Sequence, residues 1–277
     1  VRTKEAKTFY RDRIGCYSRM YHFIEDTTAL EQARNKEDFY QSAIAFGNFQ
    51  SLLSDFDASR LYETIPDFHN TPIRFRTFQK AVEEDVCGRA ACARREIDFY
   101  MGHRKEMEYC AQKLAEGAVP LRVTHNDTKL NNVLLDARTG KAVCVIDLDT
   151  VMPGLAAFDF GDSIRFGANT AVEDERDLSK VSLDLELFET YVKGYLEGCK
   201  GSLTEAEVEM LSYGALTMTL ECGMRFLTDH LQGDVYFMIH RENHNLDRSR
   251  TQMALVEDME RKWDQMQSIV SRYCHRS

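Results

Sequence analysis

One stretch constrains this chain more than any other: His125-Asn126-Asp127-Thr128-Lys129-Leu130-Asn131-Asn132 runs directly into VLLD, the turn residues ARTG and then AVCVID. Two apolar, β-rich runs separated by a glycine-containing turn read as a hairpin over 133–147. It is the only pronounced β signal after residue 24, so the chain is expected to build a mostly helical α+β body around one embedded hairpin. Polar residues flank that hairpin on both sides, His125 to Asn132 before it and Asp147 and Asp149 at its end.

The remaining pattern fits this layout. Residues 17–24 are rich in aromatic and β-branched types and predict a strand running into a linker at Glu25-Asp26. Thr28 with Glu31 has the spacing of a capping box, predicting a helix whose apolar face carries Tyr40, Ala43, Ile44, Gly47 and Leu53. Residues 64–72 hold two of the four prolines and predict an ordered loop. A long helix is predicted over 89–114, ended by Gly117 and Pro120. Beyond Pro153 and Gly154 the pattern is helical throughout, with a second capping box at Thr204 and Glu207.

Composition narrows the partners. At 277 residues with 43% hydrophobic content the chain can bury a real core, which excludes disorder. A net charge of −10 repels a nucleic-acid backbone or an anionic membrane, so small molecules are the expected partners. No apolar run approaches the roughly 18 residues of a membrane span, and the first twenty residues lack the apolar middle of a signal peptide; a cytoplasmic location is expected. The eight cysteines are scattered without CxxC spacing, predicting reduced, mostly buried thiols.

The loop before the hairpin matches HxDxxxxN, with a lysine two residues after the aspartate. Phosphoryl transfer needs this set. Its loose transition state asks the protein chiefly to orient an oxygen nucleophile and to neutralise charge. Asp127 can accept the hydroxyl proton, Lys129 can face a phosphate, and Asn132 can offer a neutral oxygen to Mg²⁺, which Asp147 at the strand end can also hold.

HNDTKLNNVLLD, CVIDLDTVMPG and FDFGDSIRFGANTAVEDE resemble the aminoglycoside phosphotransferase and choline kinase superfamily, relatives of the protein kinases, and within it the N-acetylhexosamine 1-kinases. The resemblance covers nearly the whole chain. It implies a protein-kinase-like fold, with 1–26 the end of an N-terminal β lobe and its hinge and 27–277 the helical C-terminal catalytic lobe. It implies ATP as co-substrate with Mg²⁺, Asp127 as catalytic base, and Asn132 and Asp147 as metal ligands. Phe23, Ile24 and Glu25 would meet the adenine, with Leu134 and Ile146 as its apolar floor. Asp127, Asp147, Phe166, Arg225 and Tyr236 would line the sugar pocket. Neither the phosphate-covering loop nor the phosphate-gripping lysine of such kinases occurs in this sequence, so the expectation is that upstream sequence supplies them, or that this form does not bind ATP productively.

Other signals are expected to be structural. Asp159 and Asp162 in FDFGD lie too far past the hairpin to deliver a metal ligand, and His125 anchors its loop. HRENH at 240–244 lacks a third zinc ligand, and Arg89, Arg94, Arg95, Arg104 and Lys105 read as a solvated face. Cys274-His275 reads as a frayed terminus. Two alternatives stand beside a sugar 1-kinase: a choline- or aminoglycoside-type phosphotransferase, and a non-catalytic pseudokinase scaffold.

Overall fold

In the computed structural model, which describes residues 1–274, the chain opens with a two-stranded antiparallel ribbon, β1 (Tyr10–Arg11) and β2 (Tyr17–Ser18). The strand expected over 17–24 is thus only two residues long, because the aromatic residues beyond it lie exposed with no neighbouring strand to pair with. β3 (Thr27–Thr28) follows, and the Thr28 capping box does not form. The two β-branched threonines pair instead with the edge of the hairpin, and α1 (Lys36–Leu52) begins later, capped by Asn35 accepting from Asp38 N at 3.0 Å.

Asn70 caps α2 (Thr71–Glu84), with Pro72 in its first turn, so the tail of the expected 64–72 loop is already helical. The long helix expected over 89–114 is split into α3 (Arg94–Gly102) and α4 (Arg104–Ala115), where the His103 ring bonds back to the Phe99 carbonyl at 2.7 Å. Arg89 precedes this pair and departs from the solvated-face expectation. It donates to Asp234 at 2.6 Å, whereas Arg94 and Arg104 make exposed pairs with Asp98 and Glu108.

β4 (Arg122–Thr124) enters the His125–Asn132 loop, and the expected hairpin then forms from β5 (Val133–Asp136) and β6 (Ala142–Val145). Asp136 Oδ1 accepts from Arg138 N and Thr139 N, and Gly140 takes φ +71, which closes the ARTG turn. β3 pairs on the other edge of β5, and β7 (Met152–Gly154) pairs antiparallel with β4. The β4–β7 pair went unread in the sequence. It is three residues long on each side and is locked by Thr124 Oγ1 donating to the Met152 carbonyl at 3.0 Å.

Downstream lie α5 (Ala156–Gly167), α6 (Leu185–Cys199), α7 (Glu205–Glu209), α8 (Leu211–Leu231), α9 (His244–Arg261) and α10 (Trp263–Cys274). The Thr204–Glu207 capping box forms as read, and His275 lies outside the described residues. Two helix pairs meet backbone to backbone. A Cβ on Gly214 of α8 would stand 2.1 Å from the Ala157 carbonyl oxygen of α5, and one on Gly47 of α1 would stand 2.2 Å from the Tyr195 oxygen of α6. The core between these helices is aromatic, with Phe160, Phe188, Tyr191 and Tyr195 fully buried. Cys110 and Cys199 are buried, Cys144, Cys222 and Cys274 are half-buried, and Cys16, Cys87 and Cys92 are exposed, so the expectation of mostly buried thiols fails.

Candidate active site

The loop from His125 to Asn132 is held from beneath by α5. The buried Asp159 carboxylate accepts from His125 N and Asn126 N, each at 2.8 Å, and from Gln50 Nε2 of α1 at 3.0 Å. With its oxygens committed to the backbone, Asp159 is a loop anchor, as its distance past the hairpin suggested. Ser163 donates to the Thr128 carbonyl at 2.7 Å and receives the Tyr191 hydroxyl at 2.6 Å, which ties the loop into the aromatic core.

Above this base the polar residues of the motif converge. Lys129 Nζ lies 2.8 Å from Asp127 Oδ1, and Asn132 Nδ2 donates to Asp127 O at 2.8 Å and to Oδ2 at 3.1 Å. Burial pulls the Lys129 ammonium down, but the Asp127 carboxylate beside it overrides that and holds its pKa above the ordinary value. His125 joins the two arms of the motif. Its Nδ1 accepts from Asp127 N at 3.3 Å, and its Nε2 faces the Ile146 carbonyl at 2.9 Å. The ring packs edge-on against Phe46 and Phe49 of α1. Ile146 N in turn donates to the Asn132 carbonyl at 2.9 Å, so the end of β6 is stitched to the His125–Asn132 loop.

Asp147 is the next residue, in the left-handed region at φ 60 and ψ 57, exposed and making no capping bond to the turn that follows. Both side-chain bonds of Asn132 leave from Nδ2, which keeps Oδ1 as a neutral oxygen for a cation. An amide oxygen and a carboxylate suit Mg²⁺, which draws its other oxygens from phosphate and water. Among the described residues no three His, Cys, Asp or Glu side chains converge as a metal cage, and His244 of HRENH is paired with Asp174 at 3.0 Å.

A cavity of 560 Å³ opens beside the loop, and Asp127, Lys129, Phe166, Arg225 and Tyr236 all line it. Asp147 does not line it, because the left-handed turn takes the chain out of the β6 direction there. The Arg225 guanidinium is ringed by aromatics, 5.4 Å from the Phe68 ring centre, 5.8 Å from Tyr236 and 5.6 Å from Phe237. Buried Asp229 sets two of these rings in place by accepting from Val235 N, Tyr236 N and Phe237 N at 2.9, 2.8 and 3.0 Å.

Phe68 and His69 from the loop before α2 and Glu221 one helical turn before Arg225 were missed in the sequence, and Asp162 of α5, expected to be structural, lines the cavity while paired with Arg165. The spacing of Glu221 and Arg225 in ECGMR was a usable signal, since residues four apart share a helix face. Nothing local announces Asp229, whose side chain accepts from three backbone amides and from Asn245 Nδ2.

The residues expected at the adenine lie outside this cavity. Phe23 is 87% exposed, Ile24 is 37% exposed, and Glu25 is exposed on the linker before β3. Leu134 pairs with Cys144 on the hairpin face opposite buried Val133 and Leu135, and by alternation Ile146 shares that half-buried face. None of these five lines the cavity beside Asp127.

The model of a family described as "Phosphotransferase enzyme family" matches residues 7–197, a span that includes the His125–Asn132 loop and the hairpin but not Arg225 or Tyr236. Among solved structures, a Plasmodium vivax ethanolamine kinase aligns with a TM-score of 0.52 at 16% identity, covering 89% of this chain and 68% of that one. A choline kinase from Cryptosporidium parvum aligns with a TM-score of 0.56 at 12% identity, covering 96% and 77%. At these identities the likeness is one of fold: a mostly helical, protein-kinase-like lobe with few strands. No helix among the described residues is long and apolar enough to cross a membrane.

Proposed function

Since the chain belongs to the phosphotransferase enzyme family, we propose that it moves the γ-phosphoryl group of ATP onto the anomeric hydroxyl of an N-acetylhexosamine. That it is a phosphotransferase with a hydroxyl acceptor follows from family and fold; the donor, the metal and the sugar are the proposal. Asp127 orients the acceptor hydroxyl and takes its proton, while Lys129 keeps the carboxylate turned toward the cavity and presents its charge to the phosphate. Asn132 and Asp147 are the residues that would hold Mg²⁺, which when bound neutralises charge on the phosphates. The adenine would lie against Leu134 and Ile146, with Phe23 to Glu25 at its edge.

The choice of acceptor rests on Arg225. An ammonium or quaternary ammonium acceptor is recognised by aromatic rings stacked around its charge. Here Phe68, Tyr236 and Phe237 already surround a cation, the protein's own guanidinium. A neutral polyhydroxylated ring with an amide meets no such competition, and it can accept hydrogen bonds from Arg225 and lie against Tyr236 or Phe166. This favours a hexosamine over the choline and ethanolamine of the structural neighbours.

The test is a panel of acceptors with ADP release as readout. N-acetylglucosamine or N-acetylgalactosamine is expected to turn over, and choline, ethanolamine and aminoglycosides are not; turnover of choline without hexosamine would reverse the assignment. In the same assay Arg225→Met is expected to lower kcat/KM for the sugar by about 10- to 100-fold, the range of a lost hydrogen bond to a charged group, without changing KM for ATP. An unchanged sugar KM would remove Arg225 from the acceptor site.

A further inference from the structure

Asn126 and Asp127 share a peptide plane, and a histidine ring meets each edge of it. His125 Nδ1 accepts the Asp127 N–H at 3.3 Å, and His69 Nε2 lies 3.3 Å from the Asn126 carbonyl oxygen. The other nitrogen of His69, Nδ1, lies 2.8 Å from Glu221 Oε1, and the second oxygen of Glu221 takes the Thr71 hydroxyl. Both neighbours of the His69 ring, a carbonyl and a carboxylate, can only accept. A ring that satisfies both must carry a proton on each nitrogen.

The plane needs outside support. Asn126 sits at φ 65, in the left-handed region that side chains other than glycine rarely adopt, so its carbonyl direction is fixed by partners rather than by a preferred backbone well. Asp159 takes the N–H of Asn126, but among the described residues only His69 donates to its carbonyl.

We propose that His69 is a positioning residue which, as an imidazolium bridging Glu221 and the Asn126 carbonyl, holds the Asn126–Asp127 peptide in the orientation that aims the Asp127 carboxylate at the acceptor. The proposal rests on the reading of Asp127 as proton acceptor. Loss of the second proton leaves His69 one hydrogen to share between two acceptors, and the link from α8 to the catalytic loop opens.

The surrounding charges support the protonated ring. Burial alone would lower the His69 pKa, but the fully buried Glu221 carboxylate outweighs it and holds the imidazole above its ordinary value. Asp162 of α5 acts in the same direction, and Arg225 of α8 opposes it. Burial likewise pushes Glu221 up, yet His69 and then Arg225 bring it below the usual carboxylate range. Arg74 of α2 feels Glu221 as well, and Asp127 and Lys129 line the same cavity as the ring. With the folded pKa raised, the bridged state is complete at low pH and is lost as pH rises through that pKa.

The experiment combines ring-¹⁵N NMR of the full chain with pH profiles of kcat, at saturating ATP and acceptor, for wild type, Glu221→Gln and His69→Gln. For wild type both ring nitrogens of His69 are expected to carry protons below a midpoint that lies above the usual value of about 6.5, with a fall in kcat at the same midpoint. Glu221→Gln should move both midpoints down. His69→Gln should abolish the pH step and lower kcat by about 10- to 100-fold, as misplacement of a reacting group does, with KM for ATP unchanged. A His69 midpoint at or below the usual value, or a pH step indifferent to Glu221→Gln, overturns the proposal. The NMR arm needs no acceptor and no variant, so it decides even if a variant does not fold or the acceptor is another alcohol. Failure of the hexosamine reading shows separately in the acceptor panel, and an enzyme that phosphorylates no alcohol at all overturns both.

Discussion

Asp127→Asn is expected to reduce kcat by about 10²- to 10⁴-fold, the range for removal of a positioned general base, with little change in thermal midpoint. The asparagine has the same shape and can still hold a hydrogen bond with Asn132, but it cannot accept the hydroxyl proton and no longer neutralises Lys129, 2.8 Å away. KM for the acceptor should move little, because proton acceptance matters mainly in the transition state. Steady-state kinetics beside a circular-dichroism melt will separate this outcome from unfolding. A variant as fast as wild type would take the proton-acceptor role away from Asp127.

The largest effect on stability is expected from Gly214→Val. Gly214 is where α8 rides on α5, and even a Cβ there would stand 2.1 Å from the Ala157 carbonyl oxygen and 2.7 Å from its carbon. Neither backbone atom can rotate out of the way, so the helices must part. Overpacking of this kind costs about 3 kcal/mol, which for a chain of this size lowers the midpoint by roughly 6–12 °C. α5 carries Asp159 and α8 carries Arg225, so activity should fall with it. Gly102→Ala is the control: nothing lies within 4 Å of its added Cβ, and stability should hold or rise by about 0.4–1 kcal/mol. Equal melting of both variants would show that the α5–α8 contact yields more readily than its backbone spacing implies.

What was legible in the sequence follows from how local each interaction is. The hairpin over 133–147 could be read because its turn chemistry, Asp136 to Gly140, is contained in consecutive residues. β4 and β7 could not, since three-residue strands far apart in sequence carry no periodicity and are defined only by each other. Thr28 and Glu31 had the spacing of a cap, but an open edge on β5 competed for Thr27 and Thr28 and won. At the site, Asp127, Lys129 and Asn132 fall within six residues and meet as their spacing suggested. Phe166, Arg225 and Tyr236 were named through family resemblance, and they do line one cavity with Asp127, whereas Asp147 stands outside it. The ring of aromatics around Arg225 and the three amides on Asp229 depend on segments brought together only by folding.

His125 touches both arms of the motif: the amide of Asp127, the carbonyl just before Asp147, and the Phe46 and Phe49 rings of α1. One rivet therefore joins two functions to a single helix. Loosening of the His125 ring should therefore release Asp127 and the end of β6 together, so the two arms are expected to lose their placement in one step rather than in sequence.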